Sequence, residues 1–233
     1  MAYPTVSAPY GLQPINLIGG QVYAGSTRLL PITTSAVNYN TAIFYGDVVK
    51  QVNTGTIEVE TGTTTVSAQG VVGIFMGCTF TNPGTKQKVF QQFWPGYASG
   101  VTDAQAYVVD DPDVLFKVAA VSSGTTIAFY GQTVVGTNAA LVQNSGSTTT
   151  GNSAIAILGS SFAATASLPI RVVDVVIDTE NSSGNFCEFI CKFNAPYVVS
   201  ASTTTAAGSP LVYTTTTTST MTGGHMYLNP TGV

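Results

Sequence analysis

QAYVVDDPDVLFKVAAV, residues 105–121, is the stretch on which the reading of the fold turns. Tyr107, Val108 and Val109, and then Val114, Leu115, Phe116 and Val118, are β-branched, aromatic or large aliphatic residues that suit a pleated, half-buried surface. Between them stands Asp110-Asp111-Pro112-Asp113. Proline gives no donor to a ladder and presets φ for a turn, and aspartate closes turns with its own carboxylate. The segment reads as a strand, a tight acidic turn or bulge, and a second strand, with Val109, Leu115 and Phe116 in the core.

The same signal recurs along the chain. Short β-rich runs fall at Val22-Tyr23, 29–32, 43–52, 56–60, 70–80, 89–94, 125–130, 155–158, 170–177 and 186–193, with turn residues between them. Residues 131–153 read as loop, with a Gly/Ser/Thr/Asn excursion from Asn144 to Ser153. No run shows a 3.6-residue period of helical length. The fold class expected is all-β, a sandwich or barrel of jelly-roll-like type spanning residues 21–199. Phe44-Tyr45-Gly46 followed by Val48-Val49 is echoed by Phe129-Tyr130-Gly131 followed by Val134-Val135. Three shared residues are compatible with chance or with duplicated barrel halves.

Both ends change character. In residues 1–20, Pro4, Pro9 and Pro14 recur every five residues among Tyr3, Tyr10, Leu12, Ile15 and Leu17. Such spacing favours extended backbone without regular pairing and reads as an arm for a partner surface. Residues 200–233 form a Thr/Ser-rich tail that includes Thr214 to Thr218. Such a segment cannot build a core alone but has the β propensity to lie extended along a neighbour.

Charged residues are 8% of the chain, against about 25% in ordinary domains, so much of the surface must be uncharged polar. That suits a protein packed against other protein surfaces. The seven Lys and Arg are scattered and the net charge is −4, which argues against phosphate binding and hence against nucleic acid. No run approaches the ~18 apolar residues of a spanning helix, and no basic n-region opens the chain. Synthesis in a cytoplasm, without a membrane stage, is the expectation. Cys78, Cys187 and Cys191 are read as buried free thiols, since Cys187 and Cys191 on one strand stand roughly 13 Å apart.

Catalytic chemistry finds little footing. Asp110, Asp111 and Asp113 invite a calcium reading, but they lack the glycine and distal glutamate of a known loop, and a turn is preferred. The lone histidine, His225, lies in the tail, and no Gly-x-Ser-x-Gly elbow occurs. The cysteine spacing is not that of a zinc site. Asn181-Ser182-Ser183 is a glycosylation sequon without consequence in an unsecreted chain. Among eleven acids a facing carboxylate pair stays open, with no local sign of one. The expectation is a protein that is not an enzyme and needs no cofactor or metal.

Several segments together resemble a group of small virion proteins of tailed bacteriophages. Ala8-Pro9-Tyr10-Gly11-Leu12-Gln13-Pro14 is similar to their APFGLRP opening, Phe44 to Lys50 (FYGDVVK) to their GDPVK strand, and Gly70 to Phe75 to their GVVxGF element. Asp110 to Val118 (DDPDVLFKV) resembles their DDPDVLFEV stretch and is the most specific piece. Ser147 to Gly151 and the strand from Leu168 to Val176 follow in the expected order, whereas the Thr-rich tail departs from the pattern. The resemblance implies a head decoration or cement protein on the capsid exterior, with the major capsid protein and its own copies as partners. A homotrimer suits local three-fold positions and a dimer two-fold ones.

On that reading Tyr3, Pro4, Pro9, Tyr10, Leu12, Pro14 and Ile15 form the capsid-binding arm, which adds buried area across a seam between capsomers at roughly 800 Å² per partner. The alternatives are a receptor-binding or fibre-like module and a tail-associated component.

Overall fold

The computed structural model describes residues 9–34, 41–63, 71–96, 100–179 and 186–194 in full, and the backbone of 197–207 and 212–222. Tyr3, Pro4, Asn181 and His225 lie outside the residues described in full. The architecture is all-β, a barrel with a second sheet packed on it. In chain order the strands are β1 (Gln13–Leu17), β2 (Arg28–Pro31), β3 (Val48–Gln51), β4 (Ile57–Val59), β5 (Gly73–Thr81), β6 (Lys88–Gln91), β7 (Gln105–Val109) and β8 (Val114–Ser123). There follow β9 (Thr126–Ile127), β10 (Asn138–Val142), β11 (Ala156–Ala163), β12 (Ile170–Val175), β13 (Glu188–Phe193), β14 (Tyr197–Ala207) and β15 (Val212–Thr222).

The first sheet closes on itself in the order β8-β11-β10-β12-β13-β8. Closure depends on the length of β8. Its residues Phe116 to Ala119 pair antiparallel with β13, and Ala120 and Val121 pair parallel with β11. The barrel interior holds Phe116, Val118, Leu141, Ile157, Ile170, Val172, Phe189, Cys191 and Phe193 among its buried residues. The second sheet runs β2-β7-β5-β3-β4, with β6 added to β5. It too curls round, because Ile32 just after β2 forms a parallel bridge to Ile57 of β4. Ile32, Ile43, Val49, Ile57, Phe75, Trp94 and Val108 fill its own core.

These two rings have the same topology. If β2, β3, β4, β5 and β7 are matched in order to β8, β10, β11, β12 and β13, every pairing recurs with the same sense, and the single parallel contact falls at the same place. The two Phe-Tyr-Gly triplets sit at matching points, between the first and second strands of each ring. Both glycines, Gly46 and Gly131, have positive φ (90° and 61°), which glycine alone adopts at no steric cost. The echo thus marks equivalent turns of a repeated barrel unit.

Four expectations need correction. First, β7 and β8 are not a pair: they belong to different sheets, and Asp110–Asp113 carries the chain from one to the other. Second, Leu115 is only half-buried, unlike Val109 and Phe116 (each 1% exposed). Strand alternation turns Val114, Phe116 and Val118 inward and leaves Leu115 on the opposite face beside β1. Third, the run 131–153 contains a short 3-10 helix (Gln132–Val134) and the strand β10, whose Ala139, Ala140 and Leu141 are fully buried. Burial between β11 and β12 outweighs the poor β propensity of Ala-Ala. Val22-Tyr23, by contrast, supplies only an isolated bridge from Val22 to Asn16.

The fourth concerns the arm. Pro9 is buried, Leu12 is 0% exposed, and Gln13 to Leu17 form β1, paired with β8. Pro14 fits there because an edge strand has one side free of ladder bonds, and the register shifts between Pro14 and Asn16, leaving Ile15 as the extra residue. Pro9, Tyr10, Leu12, Pro14 and Ile15 are parts of the chain's own fold, whereas Tyr3 and Pro4 lie outside the described residues. In the Thr-rich tail, β14 and β15 pair with each other over eleven positions, from Tyr197↔Thr222 to Ala207↔Val212, as a two-stranded sheet.

Candidate functional site

Segments far apart in the sequence meet at one junction between the rings. Gly11 and Gly46, with φ of +83° and +90°, cross so closely that a Cβ on Gly11 would stand 2.8 Å from Gly46 O. The Leu12 amide donates to Gly46 O at 3.0 Å, and the Gly46 amide donates to Phe75 O at 2.8 Å. Phe75 N–H in turn donates to Asp47 O (2.9 Å), and Tyr45 N–H to Gly151 O (3.0 Å). Gly73 packs on the end of β7, where a Cβ would lie 1.8 Å from Val109 O. The junction therefore gathers Gly11-Leu12, Tyr45-Gly46-Asp47, Gly73 to Phe75, Val109-Asp110 and Gly151.

The acidic crossing is held by its own carboxylates. Asp110 Oδ2 is 2.7 Å from Arg28 Nε on β2, and Asp111 Oδ1 accepts the Asp113 amide at 2.9 Å. Asp113 Oδ1 lies 3.7 Å from Lys192 Nζ on β13, and Asp113 O accepts the Ile18 amide. The three acids thus serve three separate partners: Arg28 on β2, the Asp113 amide within the crossing, and Lys192 on β13. Asp111 performs the turn-closing role expected of it, and its neighbours fasten the crossing to both sheets.

Tyr10 has a role that its sequence setting gives no hint of. Its hydroxyl donates to Glu188 Oε1, and Lys117 Nζ stands 3.4 Å from the same oxygen and 5.5 Å from the Tyr10 ring centroid. Register places Lys117 and Glu188 together on the outer face of the β8–β13 pair, where Tyr10 covers them. Burial, and then Glu188, push the Tyr10 hydroxyl well above the ordinary phenol range. The second carboxylate oxygen, Glu188 Oε2, is buried without a hydrogen-bond partner.

A cleft of about 490 Å³ opens beside the junction. Phe44, Asp47, Val59 and Glu60 line it from one ring, and Gln143 and Asn144 from the other. Asp47 and Glu60 are 4% and 2% exposed, so two acids do share one wall. Each answers a local amide: Asp47 Oδ2 accepts Phe44 N–H (2.8 Å) and Glu60 Oε1 accepts Gly62 N–H (2.7 Å). Burial raises the Asp47 carboxyl to about 6 against this pull. In this arrangement both acids cap turns.

All three cysteines are free and buried. Cys78 donates to Phe93 O and Cys187 to Ala128 O, and burial pushes the Cys78 thiol up to about 12.

One face of the second sheet begins beneath the first barrel at Ile74 and Val109 and then emerges into solvent. There register sets Leu29 beside Tyr107, and Pro31, Gln105, Thr79 and Phe90 in the next row. Leu29 is 48% and Phe90 69% exposed, two large apolar side chains at the ends of a strip that also carries Gln105 and Thr79, where the sequence suggests only a strand. No protein-family model, curated protein or solved structure matches the chain.

Proposed function

We propose that this chain is a structural protein of a tailed-phage virion, a decoration protein that sits on the outer capsid surface and stabilises seams between capsomers. One observation carries the reading. The pieces of sequence that resemble the phage virion proteins are dispersed from residue 8 to residue 176, yet parts of five of the six, Gly11-Leu12, Tyr45 to Asp47, Gly73 to Phe75, Asp110 and Gly151, meet at one junction. They are the residues on which the two-ring architecture depends, so the likeness concerns the residues that set the fold.

Two further features favour an adhesive role. The 8% charge content lets extended surface be covered at small desolvation cost. On the strip from Leu29 to Phe90 those two side chains offer exposed apolar contact area, whereas residues 9–17 are tied into the fold. In this reading that strip replaces the arm as the face turned to the major capsid protein. No cofactor is needed.

The test is the copy number in purified particles of the virus that encodes the chain, measured by quantitative mass spectrometry against the major capsid protein. A decoration protein is present in a fixed lattice ratio of hundreds of copies. A dozen copies or fewer would favour the fibre or tail-associated alternative, and none would remove the chain from the virion.

A further inference from the structure

β14 and β15 are the longest strands among the described residues, eleven residues each, about 37 Å at 3.4 Å per residue. They pair in continuous register without a bulge and form a two-stranded sheet of their own. A two-stranded ribbon is marginally stable in water, and among the described residues each of these strands has one side of its backbone donors and acceptors unpaired. Proteins blunt such edges with lysine, proline, bulges or brevity. Here none of these devices is present. No Lys, Arg, Asp or Glu follows Lys192, and Pro196 and Pro210 lie outside both strands.

The two edges are not equal. β15, VYTTTTTSTMT, has seven threonines in eleven residues, and β-branched Thr favours a strand. β14 opens on Tyr197-Val198-Val199 but has only three threonines in the remainder, among alanine and serine residues. A run of one residue type is also complementary to itself, since opposed Thr–Thr pairs are favourable cross-strand neighbours. Two copies related by a two-fold axis bring the same strand together antiparallel, which closes the contact and leaves no further β15 edge to extend it.

We propose that the outer edge of β15 pairs antiparallel with the same edge of a second copy, about a two-fold axis at Thr217, the middle residue of the strand. The product is a four-stranded sheet in the order β14, β15, then β15 and β14 of the second copy, in which both β15 edges are paired and the ribbon is no longer two-stranded. This inference does not rest on the capsid reading. It favours the two-fold over the three-fold state.

Sedimentation velocity of the full chain at high micromolar concentration should report a dimer. Thr217→Cys should then form an intermolecular disulfide under mild oxidation, because the axis sets residue 217 opposite itself and the native thiols are buried. The double variant Thr215→Lys/Thr217→Lys should sediment as a monomer with the melting of the barrels unchanged. A monomeric or trimeric native chain, a dimer that survives both lysines, or a dimer whose Thr217→Cys form does not cross-link would each overturn the proposal.

Discussion

The Tyr10 hydroxyl donates to Glu188 across 178 residues of sequence, and so ties the start of the described chain to the last strand of the first barrel. Glu188 is 1% exposed and has one further charged partner, Lys117. Replacing Tyr10 by Phe removes one charge-assisted hydrogen bond to a buried carboxylate and should destabilise by about 1–3 kcal/mol. Lys117→Met should cost up to about 3 kcal/mol, the low end for a broken buried pair because the lysine stays one-third exposed. Glu188→Gln added to Lys117→Met should recover part of that loss. Urea unfolding of the three variants checks the ordering, and a Tyr10→Phe variant as stable as the native chain would show the contact to be incidental.

Leu12 and Leu115 are both leucines near β1, but they differ in burial. Leu12 is 0% exposed within the main core, while Leu115 is half-buried on the outer face. Leu12→Ala should therefore cost about 2–5 kcal/mol as a full core truncation, and Leu115→Ala about 1 kcal/mol. Deleting residues 2–18 should unfold or strongly destabilise the barrel, since it removes Leu12, Tyr10 and β1 together. Thermal melting of the deletion separates this from an arm that docks elsewhere, which would leave the melt unchanged.

The contrast also shows what a local pattern can reveal. The β-branched runs that became β3, β5, β7, β12 and β13 are legible because apolar content and period-two spacing are properties of neighbouring residues. Pairing is not such a property. Val109 and Val114 stand five positions apart, and nothing local tells whether the strands on either side of Pro112 pair or part. β10 was hidden because Ala139 and Ala140 earn their place through burial. Tyr10 carried no sign of Glu188 for the same reason, whereas the repeated Phe-Tyr-Gly was a local trace of the duplicated unit.

At Gly73, β5 meets the backbone at the end of β7, its neighbour in the second sheet, where the chain leaves for the first. A methyl group there would meet Val109 O at 1.8 Å and Asp110 Cα at 3.0 Å, and no flexible side chain can yield. Gly73→Ala should destabilise by at least about 3 kcal/mol, the upper range for overpacking, or prevent folding. Gly19→Ala is the control, with nothing within 4 Å and no positive φ, and should be within about half a kcal/mol of native. Soluble expression and denaturant midpoints of the two variants decide the point.

Asp47 makes stability depend on pH in a direction opposite to the common carboxylate case. Its carboxyl is raised from 3.8 to about 6, by burial first, against the pull of the Phe44 amide and Ser153 hydroxyl. Between those values the folded chain binds the proton that the unfolded chain releases. Stability from this group is therefore greatest at low pH and is lost as pH rises through about 6. Going from pH 7 to pH 5 should gain about 1 kcal/mol, as the folded carboxyl becomes mostly protonated. Asp103 opposes this only at more acid pH: Thr81, through its hydroxyl and amide, and then Lys88 hold its carboxyl below the ordinary 3.8, so its contribution is lost only below that value. Comparison with Asp47→Asn isolates the contribution of Asp47 in the window from pH 7 to 5. In Asp47→Asn the same pH change should leave the urea midpoint flat, and a native midpoint that falls on acidification over this range would mean that the carboxylate is stabilised in the fold as an anion.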